Sequence, residues 1–458
     1  MSISIDFFSN QKLINKYNYS GPRYTSYPTA LEFNTSYTEQ DFQASLLKYN
    51  EKDLSVYIHI PFCHKICYFC ACNKIIARQS SKVDTYLNYL EKEIKKETSN
   101  LKNRKVTQLH FGGGTPTFMD ENQFKRIMTF LNQEFNISSN AEISIEVDPN
   151  ETTVDTIVFL KEVGFNRLSM GIQDLSKKVQ EAVNRVEDFE HVKAQIRKAK
   201  EIGFTSVNLD LIYGLPFQTE STFKNTLKEV LELDPDRLSI FNYAHLPSKF
   251  AAQRKIKEKD LPSADVKLKI LENTISYLIE NKYNFIGMDH FAKDSDELSK
   301  AQKDGTLHRN FQGYTTQAET DMIGFGVSSI SMIGDQYAQN TKNLSDYYVR
   351  LDNNISVKTK GFVLSEDDCI RRDVIGELIC NFQLYFKHIE EKYNIVFNKY
   401  FESELQKLAP LVEDGLLELS SDKIVVTDLG RLIIRHICLR FDAYSNIANK
   451  YKEFSRII

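Results

Sequence analysis

The sequence predicts an α/β fold: a partial (β/α)6 barrel with an N-terminal arm and a smaller, mostly helical C-terminal domain. Three observations predict it. From Ser55 to about His245, strand-like runs alternate with amphipathic helical runs, and such alternation builds a parallel sheet. That stretch of about 190 residues divides at roughly 30 residues per βαβ step into six units. Nearly every strand-like run ends in unusual polar residues or glycines, and barrel enzymes place their chemistry at the C-terminal ends of strands. A flat doubly wound sheet is the alternative.

Taken in order, residues 1–50 form the arm. Its Tyr17–Ala30 stretch, YNYSGPRYTSYPTA, is dense in tyrosine and punctuated by Gly21-Pro22 and Tyr27-Pro28. It suits either packing onto the body through its rings or covering a pocket. Residues 51–360 hold the barrel and pocket-lining segments. Leu54–Ile60 reads as a buried strand closed by Pro61. Val83, Leu87, Leu90 and Ile94 share one helix face, and Phe124, Met128, Leu131 and Phe135 repeat that spacing. Strand ends then carry Gly112-Gly113-Gly114-Thr115-Pro116, Glu146 with Asp148, Gln173 with Asp174, Asp210 with Tyr213, and Asn242, Tyr243 and His245. Asp148 and Asp174 equally suit helix caps. After Leu261-Pro262 a helix is expected, then a strand in NFIGMDHF. His308–Thr316 and Met322–Asp335, glycine-rich and aromatic, read as lid or pocket-lining segments.

Residues 361–458 form the C-terminal domain. Ser365–Asp368 starts a helix ending near Phe382. A second helix covers about Lys399–Val412, LLEL and KIVV make a hairpin, and Thr427 caps a last helix through Leu439. The pattern resembles a winged helix in a packing role.

The 458 residues are 41% hydrophobic, enough for a large core and a second domain. Lys plus Arg total 58 against 62 Asp plus Glu, a net charge of −4. That balance gives no support to nucleic-acid or membrane binding, so an anionic ligand needs a local basic pocket. No run of 18 apolar residues and no basic-then-apolar leader is present. A cytoplasmic protein is expected, and crowded thiols suit a reducing compartment.

Four of the seven cysteines, Cys63, Cys67, Cys70 and Cys72, crowd into one loop leaving the first strand. Thiolates spaced C-x3-C-x2-C can reach three corners of a [4Fe–4S] cube, leaving one iron open. Structural zinc normally uses two pairs separated by a dozen or more residues. Unligated core cysteines are the remaining reading. The glycine triplet, one strand later, would face the open iron; without Cβ atoms its backbone can approach a ligand closely. Any tight turn also favours glycine, and the P-loop pattern is absent. Cys72 would block the open iron as a fourth ligand, so it is expected near the cluster without binding it.

With Phe69 before the third cysteine, CxxxCxFC resembles the radical S-adenosylmethionine (SAM) enzymes. GPRYTSYPTA, HIPFCHKICYFCACNKI, LHFGGGTPT, EISIEVDP, NRLSMGIQD, LDLIYGLP, FNYAHLP, HRNFQGYTT and the C-terminal module together resemble the oxygen-independent coproporphyrinogen III oxidase family. Related haem-chaperone-like proteins generally lack the tyrosine-rich arm and the fourth cysteine. The resemblance implies a cytoplasmic, monomeric enzyme of haem biosynthesis, holding a [4Fe–4S] cluster and two SAM molecules. It would oxidatively decarboxylate two propionates of coproporphyrinogen III to vinyl groups, giving protoporphyrinogen IX, through a 5′-deoxyadenosyl radical. A reductive donor such as flavodoxin or ferredoxin is implied as partner. Carried over by position, Cys63, Cys67 and Cys70 would bind the cluster. Tyr57, Gly113, Glu146, Ala244 and Ile330 would contact the first SAM, and Phe69, Gly114, Thr115, Gln173, Arg185 and Asp210 the second. Arg23, Lys74, Arg78, His308 and Arg309 are candidates for the substrate's carboxylates. A haem-binding chaperone, a two-SAM methyltransferase and a zinc-stabilised interaction protein are the rivals.

Overall fold

The computed structural model describes residues 3–101, 103–318 and 320–444. The chain divides into two compact units. One comprises residues 33–262 and 319–363; the other joins residues 1–32, 263–318 and 364–458. These units cut across the arm, barrel and C-terminal segments expected from the sequence.

The first unit contains six strands joined by helices: β1 (Leu54–Ile60), β2 (Lys105–Gly113), β3 (Asn136–Val147), β4 (Arg167–Gln173), β5 (Ser206–Tyr213) and β6 (Arg237–Asn242). They lie side by side in chain order, each parallel to the next. That uninterrupted order suits a curling barrel wall; a doubly wound sheet would reverse its strand order part-way. The expected partial (β/α)6 architecture is what the chain adopts.

On the free side of β1 the sheet continues through β7 (Asp321–Phe325), parallel to β1, then β8 (Ile330–Ile333), β9 (Gln336–Asn340) and β10 (Lys358–Val363), all antiparallel. The 322–335 stretch, expected as a lid or pocket lining, therefore supplies two sheet strands. Its glycines disguise a fully buried β7, whose five residues all lie inside. Gly324 allows β7 to pass the Ile330 carbonyl, which a Cβ would meet at 2.6 Å.

The expected helical stripes are buried. Val83, Leu87, Leu90 and Ile94 on α1 (Ser81–Thr98) are fully enclosed, as are Phe124, Met128 and Leu131 on α2 (Glu121–Glu134). Between these helices and the sheet, Phe111 packs against Phe165 at 5.3 Å and Phe124 at 6.4 Å, ring centre to ring centre. Helix α1 also carries buried acids. Glu97 pairs with Lys358 of β10 at 2.8 Å, and Glu93 accepts from Tyr347, Asn340 and the Gly326 N–H.

In the second unit the expected strand 284–291 is a hairpin of Tyr283–Gly287 and His290–Lys293, turning at Met288 with φ 53°. The Glu366–Asn381 helix begins at a Ser365–Asp368 capping box and stops at left-handed Phe382. The helix expected over 399–412 is broken into Phe397–Tyr400, Glu402–Gln406 and Ala409–Glu413, Pro410 starting the last piece. The hairpin Leu417–Leu419 with Lys423–Val426 gains a third strand, Gln383–Tyr385. The tyrosine-rich arm packs on this unit's C-terminal segment. Arg435 donates to the Gly21 and Pro22 carbonyls, Tyr24 to Asp442 at 3.0 Å, and Arg23 pairs with Asp289 at 2.5 Å. Among the described residues no helix is long and apolar enough to cross a membrane.

Phe111→Ala should cost about 3–5 kcal/mol through lost burial and the cavity left behind, lowering the midpoint of chemical denaturation. His436 gives a pH dependence. It is wholly buried, bonded to the Tyr17 carbonyl at 2.5 Å. Burial, partly offset by that bond and reinforced by Arg435 and Arg440, pushes its pKa down to about 3. An unfolded histidine takes its proton near about pH 6.5. Between those values the unfolded chain binds more protons, so acidification through that window removes stability, while nothing is lost above it. His436→Asn should flatten this loss, read as a smaller drop in denaturation midpoint between pH 7 and pH 5.

Candidate active site

The C-terminal ends of β1–β5 and the loops after them enclose a cavity of about 460 Å³. The cysteine loop forms one wall and is tied down on several sides. Phe62 and Cys63 pair with Ile75 and Ile76, returning the loop to its start. The Tyr68 N–H donates to the Val183 carbonyl, and Asn184 donates to the Ile66 carbonyl at 2.8 Å. Tyr68 and Phe69 pack on the apolar cluster of Val179, Val183, Leu215, Tyr243 and Ile256. So Phe69 anchors the loop besides lining the cavity.

Cys63, Cys67, Cys70 and Cys72 all line the cavity and carry free thiols. Thr115 lies 3.5 Å from the Cys63 sulfur and Arg185 3.7 Å from that of Cys67. Burial pushes the Cys63 thiol up to about 11 and raises Cys67. Cys70 is lowered to about 6, chiefly by a hydrogen bond from Cys72, which is raised in turn. Lys74 donates to the carbonyls of Cys70 and Cys72.

The glycine turn forms the wall beside the cysteine loop. Gly113 has φ 117°, and a Cβ there would lie 2.5 Å from the His59 ring. A Cβ on Gly112 would meet the Glu146 carboxylate at 2.9 Å, and one on Gly114 the Pro61–Phe62 peptide at 2.7 Å. The Gly114 N–H bonds the Ile60 carbonyl and the Thr115 N–H that of Phe62. The turn is glycine because it must sit against the root of the cysteine loop.

Glu146 projects from β3 with its side chain 48% exposed to the cavity, although protein surrounds it closely. Burial would raise its pKa, but His110 and the Gly113 N–H, 3.2 Å away, more than reverse this and hold it below the usual carboxylate value. Asp210 on β5 is pushed up to about 6 by burial, against hydrogen bonds from Asn208 and Ser169. Gln173 ends β4 at φ 66°, a strained conformation for a non-glycine residue that turns the chain at the rim.

Eleven of the fourteen site residues expected from the sequence line this one cavity: Cys63, Cys67, Phe69, Cys70, Gly113, Gly114, Thr115, Glu146, Gln173, Arg185 and Asp210. Tyr57, Ala244 and Ile330 are not among its lining residues. The Tyr57 hydroxyl bonds His59 at 3.0 Å and its ring stacks on His110. The Ala244 carbonyl accepts from Gln253, and Ile330 opens β8. Asp174 does not cap the helix that follows: it is buried, accepting from the Ser176 N–H just ahead of that helix and from Gln218. Asp148 does cap, and its other oxygen takes Arg185 at 2.8 Å in the cavity wall. Ser169, Gly171 and Glu151 were missed as lining residues; a serine inside a strand or an acid inside a capping run carries no signal of its own.

The donor set fits an iron–sulfur cluster. Among the described residues, no three His, Cys, Asp or Glu side chains converge on one metal ion. Three thiols of one loop line a single cavity of about 460 Å³, the kind of ligand set that holds a multi-iron cluster.

Comparison with known proteins identifies the group. Residues 57–230 match the radical SAM superfamily model and residues 364–433 the HemN C-terminal domain. The chain is 56% identical to the oxygen-independent coproporphyrinogen III oxidase of Salmonella typhimurium, over 97% of this chain and 98% of that protein. It is equally similar to the Escherichia coli K12 protein of that description, and 43% identical to that of Helicobacter pylori over 99% of this chain and all of the relative. The chain belongs to the oxygen-independent coproporphyrinogen III oxidase family.

A solved structure of coproporphyrinogen III oxidase (HemN) from Escherichia coli, described as a radical SAM enzyme, superposes with a TM-score of 0.92 at 53% identity. It covers 97% of this chain and 100% of that one. Family membership carries with it a [4Fe–4S] cluster and SAM. Gly113→Ala should weaken SAM binding at least about tenfold, since the new methyl collides with His59 in a backbone region costing about 1–3 kcal/mol. Equilibrium binding to cluster-loaded protein measures it.

Proposed function

We propose that this chain decarboxylates two propionates of coproporphyrinogen III oxidatively to vinyl groups, yielding protoporphyrinogen IX for haem biosynthesis. The identity sustained across 97% of the chain carries this reading, because a radical SAM barrel by itself serves many substrates. When bound, the reduced cluster and SAM supply a 5′-deoxyadenosyl radical able to take a hydrogen atom from a propionate side chain.

The chain's own residues bind and orient. Cys63, Cys67 and Cys70 would hold the cluster through thiolates. Gly113 and Glu146 would take the first SAM; the carboxylate, ionised at neutral pH, suits the amino group of a cationic ligand. Tyr57, Ala244 and Ile330 would complete that site. Phe69, Gly114, Thr115, Gln173, Arg185 and Asp210 would hold a second SAM, all lying round the same space. Cys72 would stay off the cluster, next to Cys70. The enzyme would act in the cytoplasm as a monomer, taking electrons from a low-potential donor such as flavodoxin or ferredoxin. Its free cysteines accord with a reducing compartment.

Anaerobically reconstituted protein, given a reductant, SAM, coproporphyrinogen III and an electron acceptor, should form methionine, 5′-deoxyadenosine and a divinyl product detected by mass spectrometry. Cys67→Ala should abolish all three. SAM cleavage without vinyl product under these conditions would reassign the substrate.

A further inference from the structure

Arg185 is more heavily engaged than an arginine kept only for a ligand. Nε donates to Glu187 at 2.7 Å, Nη1 to Asp148 at 2.8 Å and Nη2 to the Gly171 carbonyl at 2.5 Å. Nη1 also faces the Cys67 sulfur at 3.7 Å, within the range of a hydrogen bond to sulfur. A guanidinium has five N–H donors, so the protein commits four and leaves one, on Nη2, for a ligand. The side chain is only 10% exposed and that of Glu187 1%. Glu187 Oε2 is buried with no hydrogen-bond partner, so the carboxylate's polar contact is the one that Oε1 makes with Arg185. The group is fixed by local chain geometry. Left-handed Asn184 (φ 57°) ends the short Lys177–Ala182 helix, and the Arg185 N–H bonds back to the Gln180 carbonyl at 2.9 Å.

A rigidly held cation at one cluster ligand has a specific electrostatic consequence. Adding an electron to an iron–sulfur cluster adds negative charge, which a nearby cation and a hydrogen bond to the ligand sulfur both favour. The donor at Cys63, the Thr115 hydroxyl, is neutral; that at Cys67 is charged. We infer that Arg185, clamped by Asp148 and Glu187, donates to the Cys67 sulfur and raises the reduction potential of the cluster, making Asp148 and Glu187 positioning residues for electron uptake. This rests on the cluster reading above. The same guanidinium borders the space assigned to the second SAM, so one residue joins that pocket to the redox centre.

The test is an anaerobic redox titration of reconstituted protein without SAM, followed by the electron paramagnetic resonance signal of the reduced cluster, with iron content measured alongside. Arg185→Gln should lower the reduced-to-oxidised ratio at a fixed potential about tenfold, which is about 59 mV for a one-electron couple. Asp148→Asn keeps the cap and an acceptor for Nη1 while removing an offsetting negative charge, so it should raise that ratio about threefold. A ratio within about twofold of the parent in either iron-loaded variant, or shifts of the same sign in both, overturns the inference. If Arg185→Gln fails to hold iron, Asp148→Asn alone decides by the same limit. Parent protein that takes up no cluster would instead overturn the reading on which the inference rests.

Discussion

Where the Gly112–Gly114 turn meets the root of the cysteine loop, backbone lies directly on backbone. Each missing Cβ corresponds to a group already in place: the Glu146 carboxylate, the His59 ring and the Pro61–Phe62 peptide. Pushing the turn outward by the width of a methyl would break the bonds from Gly114 and Thr115 to Ile60 and Phe62. It would also separate the cysteine loop from the Glu146 carboxylate. The depth of the cavity, the position of Thr115 beside Cys63 and the bond from Gly113 to Glu146 all follow from that approach. The parallel pairing of β1 with β2, in register through His59 and Gly112, sets it up.

Charge inside the cavity is arranged by partners. Glu146 is held ionised by His110 and the Gly113 N–H, whereas Asp210, buried among neutral donors, is pushed up toward neutrality. Two carboxyl groups on adjoining parts of one wall are thus shifted in opposite directions: at Glu146 the bonds outweigh burial, while at Asp210 burial and the nearby Glu146 charge outweigh the bonds from Asn208 and Ser169. Arg185 supplies a positive centre in the same cavity, and Lys74 another on the loop carbonyls. A chain with a net charge of −4 can therefore present both signs to a ligand that is itself zwitterionic.

The second unit shows how an arm can be structural in its own neighbourhood. Its tyrosines and Arg23 find partners in Asp289, Asp414, Asp442 and His436, and its Gly21 and Pro22 carbonyls accept from Arg435. Arg23, a candidate for the substrate's carboxylates, has an aspartate already at 2.5 Å. Arg309 lies over the Tyr314 ring at 4.6 Å, and its Nε and Nη1 are buried without hydrogen-bond partners. Ring packing of the arm, one of the two readings its composition allowed, has direct contacts to support it.

The sequence by itself determined the barrel, the cysteine loop and most of the cavity lining. Those features rest on signals local to a few residues: period-2 and period-3.6 burial in the strands and helices, three thiols at fixed spacing, and a glycine run at a strand end. Tertiary structure alone decided the rest. Whether Asp148 or Asp174 reached the cavity depended on which side chain met Arg185, some 37 positions along in the first case. The 322–335 stretch became sheet because β7 found an open edge of β1, an edge that no pattern within the stretch encodes. Glu187 acquired its place only through a buried guanidinium. Side-chain partnership is set by the sum of all strand registers and helix packings, and sequence spacing reports only the nearest of these.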